Sequence, residues 1–265
     1  MAEGIEGGGD VGAVAGPGGA QGDAAGGVYV TYQHGAIYWS SATGAQPLWT
    51  VALQAWSGAS GVNGPLRYPI NASGAGARPG GWIQLFQGGA LAGTSGTVAV
   101  PVYGQSWTLW KANGREGGAL GYPTAWQTGN PDGVGWHQSY QFGQVTGSTR
   151  TAPQAVWTPI STVWTQNGGA SGVLGYPKNA RTTGAGTWIQ TFEHGAIAGT
   201  TSTPTVPVVG VMYAAWVAHN GTAGILGFPA AGVTEGIRGS RQVFQGGELW
   251  ALRPGPARLL YGAVL

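Results

Sequence analysis

WIQTFEHGAIAG, at residues 188–199, alternates its side chains, breaks at a turn pair containing glycine, and then alternates again, which is the pattern of a β-hairpin. The same pattern occurs four more times, with a glycine in the same column of the turn. The matching segments are VYVTYQHGAIYW (28–39), WIQLFQGGALAG (82–93), WHQSYQFGQVTG (136–147) and SRQVFQGGELWA (240–251). Five hairpins of one kind predict tandem supersecondary units.

A short apolar segment follows each hairpin and predicts a third strand. These segments are PLWTV (47–51), PVYG (101–104), AVWTPI (155–160), PVVGVM (207–212) and RLLYGAVL (258–265). A tryptophan comes next in four repeats, and the sequence leaves open whether a short helical turn carries it. The four residues are Trp56, Trp110, Trp164 and Trp216. We interpret this column as core, because equivalent rings at constant spacing behave like packing.

A proline loop lies after each of these tryptophans. The loops are NGPLRYP (63–69), GGALGYP (117–123), SGVLGYP (171–177) and AGILGFP (223–229). The glycine before the aromatic residue in the last three loops suggests a positive φ, whereas Arg67 in the first loop argues against a strict requirement or marks that repeat as distorted. The glutamine column Gln84, Gln138, Gln190 and Gln242 could be buried and hydrogen-bonded or could face a ligand.

The repeat period is 54 residues in the first two copies and 52 in the last two. We therefore predict an all-β fold of about five small units in an open, elongated array, with a closed five-bladed β-propeller as the alternative. The predicted units span about 28–81, 82–135, 136–187, 188–239 and 240–265. Residues 1–27 are rich in glycine, contain four acids and no base, and predict a flexible arm that could dock on a protein partner or a neighbouring subunit.

The amino-acid composition argues against several classes of function and site. Charged residues make up 8% of the chain and the net charge is only +2, with the bases scattered, so a nucleic-acid-binding footprint is missing. Cysteine is absent, which excludes disulfides and cysteine metal sites. No apolar run is long enough for a membrane-spanning helix, and the N-terminus lacks the features of a signal peptide. We expect no cofactor and no metal.

The LGYP and LGFP tetrapeptides, at the fixed spacing described above and with the tail of YQHGAIYWSSATGA (32–45), resemble the LGFP repeat family. The resemblance covers residues 28–265. It implies tandem four-stranded β units and a non-catalytic role in attachment to the arabinogalactan-peptidoglycan wall of actinobacteria. Two departures stand out: the family's acidic continuation after LGFP is absent here, and the YWS-x-ATG tail survives only in the first repeat.

Catalysis is not indicated by any motif. The chain has no nucleophile elbow, its four histidines are separated, and four of its nine acids lie in the arm. We therefore predict a protein that is not an enzyme. An exposed aromatic ring can stack on the apolar face of a sugar while amides and hydroxyls supply hydrogen bonds. The candidate ligand-binding residues are Tyr38, Trp39, Trp126, Trp250, Tyr68, Tyr122 and Tyr176, with a partly solvated phenol expected in the last three.

The leading hypothesis is a polysaccharide-binding repeat module at the cell surface. Several weak sugar sites on one array could give firm attachment to a polymer. The missing signal peptide motivates an alternative, a virion component of an actinobacteriophage such as a tail-tip, fibre or capsid-decoration protein.

Overall fold

The computed structural model describes residues 11–15, 19–95, 98–237, 239–252 and, for the backbone alone, 257–260. The chain forms five small antiparallel sheets in tandem, each of four strands, and none closes into a barrel. The strands are β1 (Gln21–Gly22), β2 (Val28–Tyr32), β3 (Gly35–Ser40) and β4 (Gly44–Trp49); β5 (Gly74–Ala75), β6 (Gly81–Phe86), β7 (Gly89–Thr94) and β8 (Val100–Tyr103); β9 (Thr128–Gly129), β10 (Gly135–Tyr140), β11 (Gly143–Ser148) and β12 (Gln154–Trp157); β13 (Thr182–Gly184), β14 (Thr187–Phe192), β15 (Gly195–Thr200) and β16 (Val206–Val209); β17 (Thr234–Gly236), β18 (Gly239–Phe244), β19 (Gly247–Leu252) and β20 (Ala257–Leu260).

Within each sheet the strands follow their order in the chain. The central pair is the predicted hairpin, with Phe192 opposite Gly195 in β14 and β15. The expected third strand pairs with it, as in β15 with β16. A further strand of two or three residues precedes each hairpin and completes the four-stranded unit that the family resemblance implied, although the repeat pattern did not locate this strand. The predicted fold class, a tandem β repeat, is confirmed.

Short helices follow the first four sheets and carry the tryptophan column, which settles what the sequence left open. They are α1 (Thr50–Gly58), α2 (Gly104–Ala112), α3 (Ile160–Gln166) and α4 (Gly210–Ala218). Helix α1 contacts β3 and β4 of its own sheet and β7 and β8 of the next. Helix α4 likewise contacts β15 and β16 on one side and β19 and β20 on the other. Helices α1 and α4 are therefore each packed between consecutive sheets.

The cores consequently join neighbouring repeats. Trp56 of α1 packs with Phe86 and Leu91 of the second hairpin, and its ring lies 6.4 Å from that of Phe86. The same pairing recurs in Trp110 with Tyr140, Trp164 with Phe192 and Trp216 with Phe244, at 6.0, 5.9 and 6.1 Å. All four tryptophans are at most 2% exposed, which confirms their assignment to the core.

Each helix leads into a loop whose backbone requires a glycine that the sequence pattern did not indicate. In each repeat this glycine lies eight residues after the core tryptophan. The four glycines are Gly64, Gly118, Gly172 and Gly224. A Cβ on any of them would lie 1.6 to 1.8 Å from a main-chain oxygen at the end of the helix. By contrast, the glycine of LGYP has φ near +70°, and Arg67 adopts φ 60° in its place. The first repeat therefore keeps the family backbone at this position and is not distorted there.

Residues 11–14, VGAV, occupy the place of an LGFP loop in front of the first hairpin. Val14 bridges Tyr32 as Pro69 bridges Phe86. Gln33 donates its N–H to Ala13 O, and the φ of Gly12 is +78°. The sequence contains four proline loops for five hairpins, and this segment supplies the fifth loop at the level of the backbone.

The predicted domain limits, with an arm over 1–27, stay a prediction, and residues 1–10 and 16–18 of that arm lie outside the described residues. So do residues 261–265 of the last predicted strand. The chain divides into two compact units, Met1–Thr128 with Gln138–Val145 and Gly129–His137 with Thr146–Leu265. Within the described part of the chain, every helix is too short or too polar to cross a bilayer.

Candidate functional site

The proline loops are held by two hydrogen bonds that repeat in every copy. The indole N–H of each core tryptophan donates to the main-chain oxygen before the loop aromatic, as from Trp110 to Gly121 O at 2.9 Å. A side-chain oxygen from the following hairpin turn accepts the N–H of that aromatic, as Glu193 does from Tyr176 at 2.9 Å. These bonds stabilise the scaffold, and neither points to a ligand.

The glutamine column is structural. Gln84 is 0% exposed, and its Nε2 donates to Pro47 O of the preceding sheet and to Asn71 O, both at 2.8 Å. Gln138, Gln190 and Gln242 donate in the same way to carbonyls of the strand one repeat earlier and of the loop after the proline. Of the two roles that the sequence left open, the structure supports the buried and hydrogen-bonded one.

The three loop tyrosines are buried, although a partly solvated phenol was expected. Tyr68, Tyr122 and Tyr176 are 7%, 1% and 1% exposed. Each hydroxyl donates into the turn that precedes a hairpin. Tyr68 donates to the Asp23 carboxylate, Tyr122 to Arg78 O and Tyr176 to the Asp132 carboxylate. The phenols therefore latch the proline loop to that turn. Their role as ligand contacts stays a prediction.

The candidate tryptophans lie in three different settings. Trp39 is 43% exposed, on the face of the first sheet opposite to Tyr38, because neighbouring residues of a strand alternate. Trp126 is 38% exposed and lies against Gly58 at the end of α1. Trp250 is half-buried, donates to Glu248 at 2.8 Å, and has the Arg241 guanidinium 5.5 Å from its ring centre.

An open cleft of about 460 Å³ lies in the first repeat, between the β1–β2 turn and the end of α1. Tyr29 and Tyr38, which are cross-strand partners, stack at 5.0 Å with an interplanar angle of 12° and line it. Trp56 meets Tyr38 edge-on at 4.5 Å. Asp23 and Asn63 contribute polar groups to the lining. The volume falls within the range of small-ligand sites.

Tyr38 and Tyr68 are neutral at physiological pH. Burial, the neighbouring Tyr29 and then Asp23 raise the pKa of Tyr38 to about 12. Burial and the hydrogen bond to Asp23 raise the pKa of Tyr68 to about 12 as well. The Asp23 carboxylate also accepts the N–H groups of Ala25 and Gly27, both at 2.9 Å. The cleft thus offers aromatic rings and uncharged hydroxyls beside one carboxylate that is already hydrogen-bonded.

The second and fourth repeats lack this arrangement. The positions of Tyr29 and Tyr38 are taken there by the cross-strand pairs Ile83–Ala92 and Ile189–Ala198. In the second repeat the corresponding turn also closes on the loop after the helix. Arg78 donates to Glu116 O at 2.6 Å and to Gly118 O at 2.9 Å, and the buried Glu116 carboxylate accepts the N–H of Ala77 at 3.1 Å.

Tyr38 was predicted from the sequence, whereas Tyr29, Asp23 and Asn63 were missed. Hairpin register could have identified Tyr29, because residues equidistant from the Gln33–His34 turn pair across the strands. No local signal places Asp23 or Asn63 beside them, since both lie outside the hairpin. In the described part of the chain, no group of three or more His, Asp or Glu residues could hold a metal ion.

The family model of the LGFP repeat matches residues 17–64, 66–118, 120–172 and 174–224. The search of curated proteins found no match. Among solved structures, the chain is similar to one described as the extracellular domain of a one-component system from B. thetaiotaomicron, with 10% identity and a TM-score of 0.17. That match covers 92% of this chain and only 29% of the other, and no argument rests on it. The four matched segments together span more than half of the sequence, and the chain belongs to the LGFP repeat family.

Proposed function

We propose that the chain is a non-catalytic repeat module that binds polysaccharide of the actinobacterial envelope, the arabinogalactan-peptidoglycan wall, and so acts at the cell surface. The single observation that carries the proposal is the open cleft of the first repeat, with Tyr29 and Tyr38 along it. Membership of the LGFP repeat family is what directs the proposal to the envelope.

The cleft has the chemistry that a neutral sugar needs. Sugar rings present apolar C–H faces, which pack on aromatic side chains, and hydroxyl groups, which need donors and acceptors. Tyr29 and Tyr38 supply the aromatic surface, while Asn63, Ser57 and Ser60 supply polar side chains along the lining. Because Asp23 is already engaged by Tyr68 and two main-chain N–H groups, the lining does not select for a cationic ligand.

Retention on purified, insoluble corynebacterial cell wall tests the proposal. The wild-type chain is expected to sediment with the wall, and Tyr29→Ala and Tyr38→Ala to lose most of that retention. Ile225→Ala is the control, because Ile225 is an exposed apolar residue of the fourth proline loop and does not line the cleft. Circular dichroism of each variant shows whether the fold is intact. A wild-type chain that stays in the supernatant contradicts the proposal.

The hypothesis of a virion component stays a prediction from the sequence. Detection of the chain in purified actinobacteriophage particles tests it, and such particles would use the same cleft for the host surface. The wall assay and the particle assay therefore answer separate questions.

A further inference from the structure

We propose that the binding surface continues from the cleft over the end of α1 to Trp126, so that the chain takes a linear oligosaccharide of at least two sugar residues. This inference rests on the proposed function and adds a second stacking position to it. It also implies one composite site per chain, formed by the first and second repeats, in place of equivalent weak sites in every repeat.

The first observation is the position of the Trp126 indole. Trp126 lies three residues after the second proline, Pro123, yet its ring reaches back to the end of α1. A Cβ placed on Gly58 would come within 3.2 Å of Trp126 Cη2, so the ring packs on the helix end where there is no side chain. The indole nevertheless stays 38% exposed, which leaves part of its surface to a ligand.

The second observation is the position of Gly58 relative to the cleft. Ser57, the preceding residue, lines the cleft, and so does Ser60 two residues further on. Consecutive Cα atoms are 3.8 Å apart, so the helix end on which the indole packs is directly next to a residue of the cleft lining. Both serines are exposed, so their hydroxyl groups are available to a ligand at this side of the cleft.

The third observation is that the pairing occurs once. Gly58 corresponds to Ala112, Gln166 and Ala218 in the other helices, and Trp126 corresponds to Ala72, Ala180 and Gly232 in the other loops. A scaffold residue would be expected to recur with the 54- or 52-residue period, as the core tryptophans do. In the described part of the chain, the large exposed ring therefore coincides with the one helix end at which this position is glycine, and that helix end adjoins the tyrosine-lined cleft.

Two aromatic surfaces separated by hydroxyl groups match an oligosaccharide whose successive residues alternate stacking and hydrogen bonding. A single sugar in the cleft would contact Tyr29 and Tyr38 and leave Trp126 solvated. The contribution of Trp126 should therefore appear only with ligands long enough to span both positions.

The test is isothermal titration of the full chain with size-fractionated arabinogalactan fragments released from the wall. The wild type is expected to bind one fragment per chain. Trp126→Ala should weaken the Kd about 5- to 10-fold, the size of a stacking contact at an interface. Tyr38→Ala should weaken it at least as much, and Ile225→Ala, the control at an exposed position of the fourth proline loop, less than about 2-fold. Gly58→Ala, which pushes the indole away, should reproduce part of the Trp126→Ala loss.

The outcomes separate the two proposals. A Trp126→Ala chain within about 2-fold of wild type, while Tyr38→Ala loses binding, overturns the extended surface and leaves the cleft as the wall-binding site. Two or more fragments per chain overturn the single composite site. A wild-type chain that binds neither fragments nor wall overturns the proposed function, and this inference fails with it.

Discussion

Two glycines three residues apart in the fourth proline loop should respond very differently to alanine. Gly224 has an ordinary backbone, but a Cβ there would lie 1.6 Å from His219 O at the end of α4. Gly227 has φ +67°, and its Cβ would approach only the flexible end of Gln245, at 3.0 Å. We therefore predict that Gly224, which has an ordinary φ, tolerates alanine much less well than Gly227.

The magnitudes follow from these distances. In Gly224→Ala the two main-chain segments must separate by more than 1 Å, because real Cβ atoms essentially never come closer than 3.0 Å to another heavy atom. That movement breaks the packing around the helix end and should cost about 3 kcal/mol or more. In Gly227→Ala the left-handed backbone costs about 1–2 kcal/mol. The lower entropy of the unfolded alanine chain offsets about 0.4–1 kcal/mol of that cost.

Urea unfolding, followed by tryptophan fluorescence and by circular dichroism, measures both changes. Gly224→Ala is expected to lower the midpoint clearly more than Gly227→Ala. The first repeat supports this order, since Arg67 occupies the second position at φ 60° while Gly64 keeps the first. Equal losses for the two variants, or a larger loss for Gly227→Ala, would refute the steric argument.

Trp110→Phe should lower the free energy of unfolding by about 2–4 kcal/mol, because it leaves the buried Gly121 carbonyl without its donor and opens a cavity; chemical denaturation measures the loss. Tyr176→Phe should cost about 1 kcal/mol, since its hydroxyl bonds the exposed Asp132 carboxylate; a Tm unchanged within error would contradict the latch. The pKa of Tyr68 is raised from 10.0 to about 12, so its contribution to stability is complete below pH 10 and is lost as the pH rises toward 12. Urea midpoints between pH 9 and 12 should therefore fall less steeply in Tyr68→Phe than in the wild type. Small-angle scattering tests the predicted elongated array, for which the radius of gyration should clearly exceed the roughly 18 Å of a compact chain of this length.

The hairpins and the repeat period were predictable because both depend on local chemistry. Alternation in 188–199 reflects two faces that are each packed, and the turn glycine at 195 reflects a close approach to Val208 O that leaves little room for a Cβ. The core tryptophans were identified by their constant spacing. Their helices were not, since nine residues such as TVALQAWSG have no side-chain N-cap and few strong helix signals.

The cleft could be predicted only in part, because its residues come from three separate segments. Tyr38 is visible as an aromatic residue next to a hairpin tail, but Asp23 lies in a segment that looks disordered from its composition. The VGAV loop at 11–14 shares only its glycine with LGFP and adopts the loop through main-chain hydrogen bonds that side-chain identity does not encode. The burial of the loop tyrosines was not predicted, because their hydroxyl groups suggested contact with water and the sequence does not show that each has an acceptor within the protein.

The helices packed between consecutive sheets have a consequence for how such chains can grow or shrink. Trp56 and Phe86 share one core although they belong to different copies of the sequence repeat. Each core is thus built from the end of one sequence repeat and the start of the next. A truncation at the boundary between two sequence repeats therefore exposes half of a core to solvent. Insertion of one whole repeat restores a shared core at each end of the inserted segment. Array length can therefore change in steps of 52 or 54 residues without altering the tyrosine-lined cleft of the first repeat.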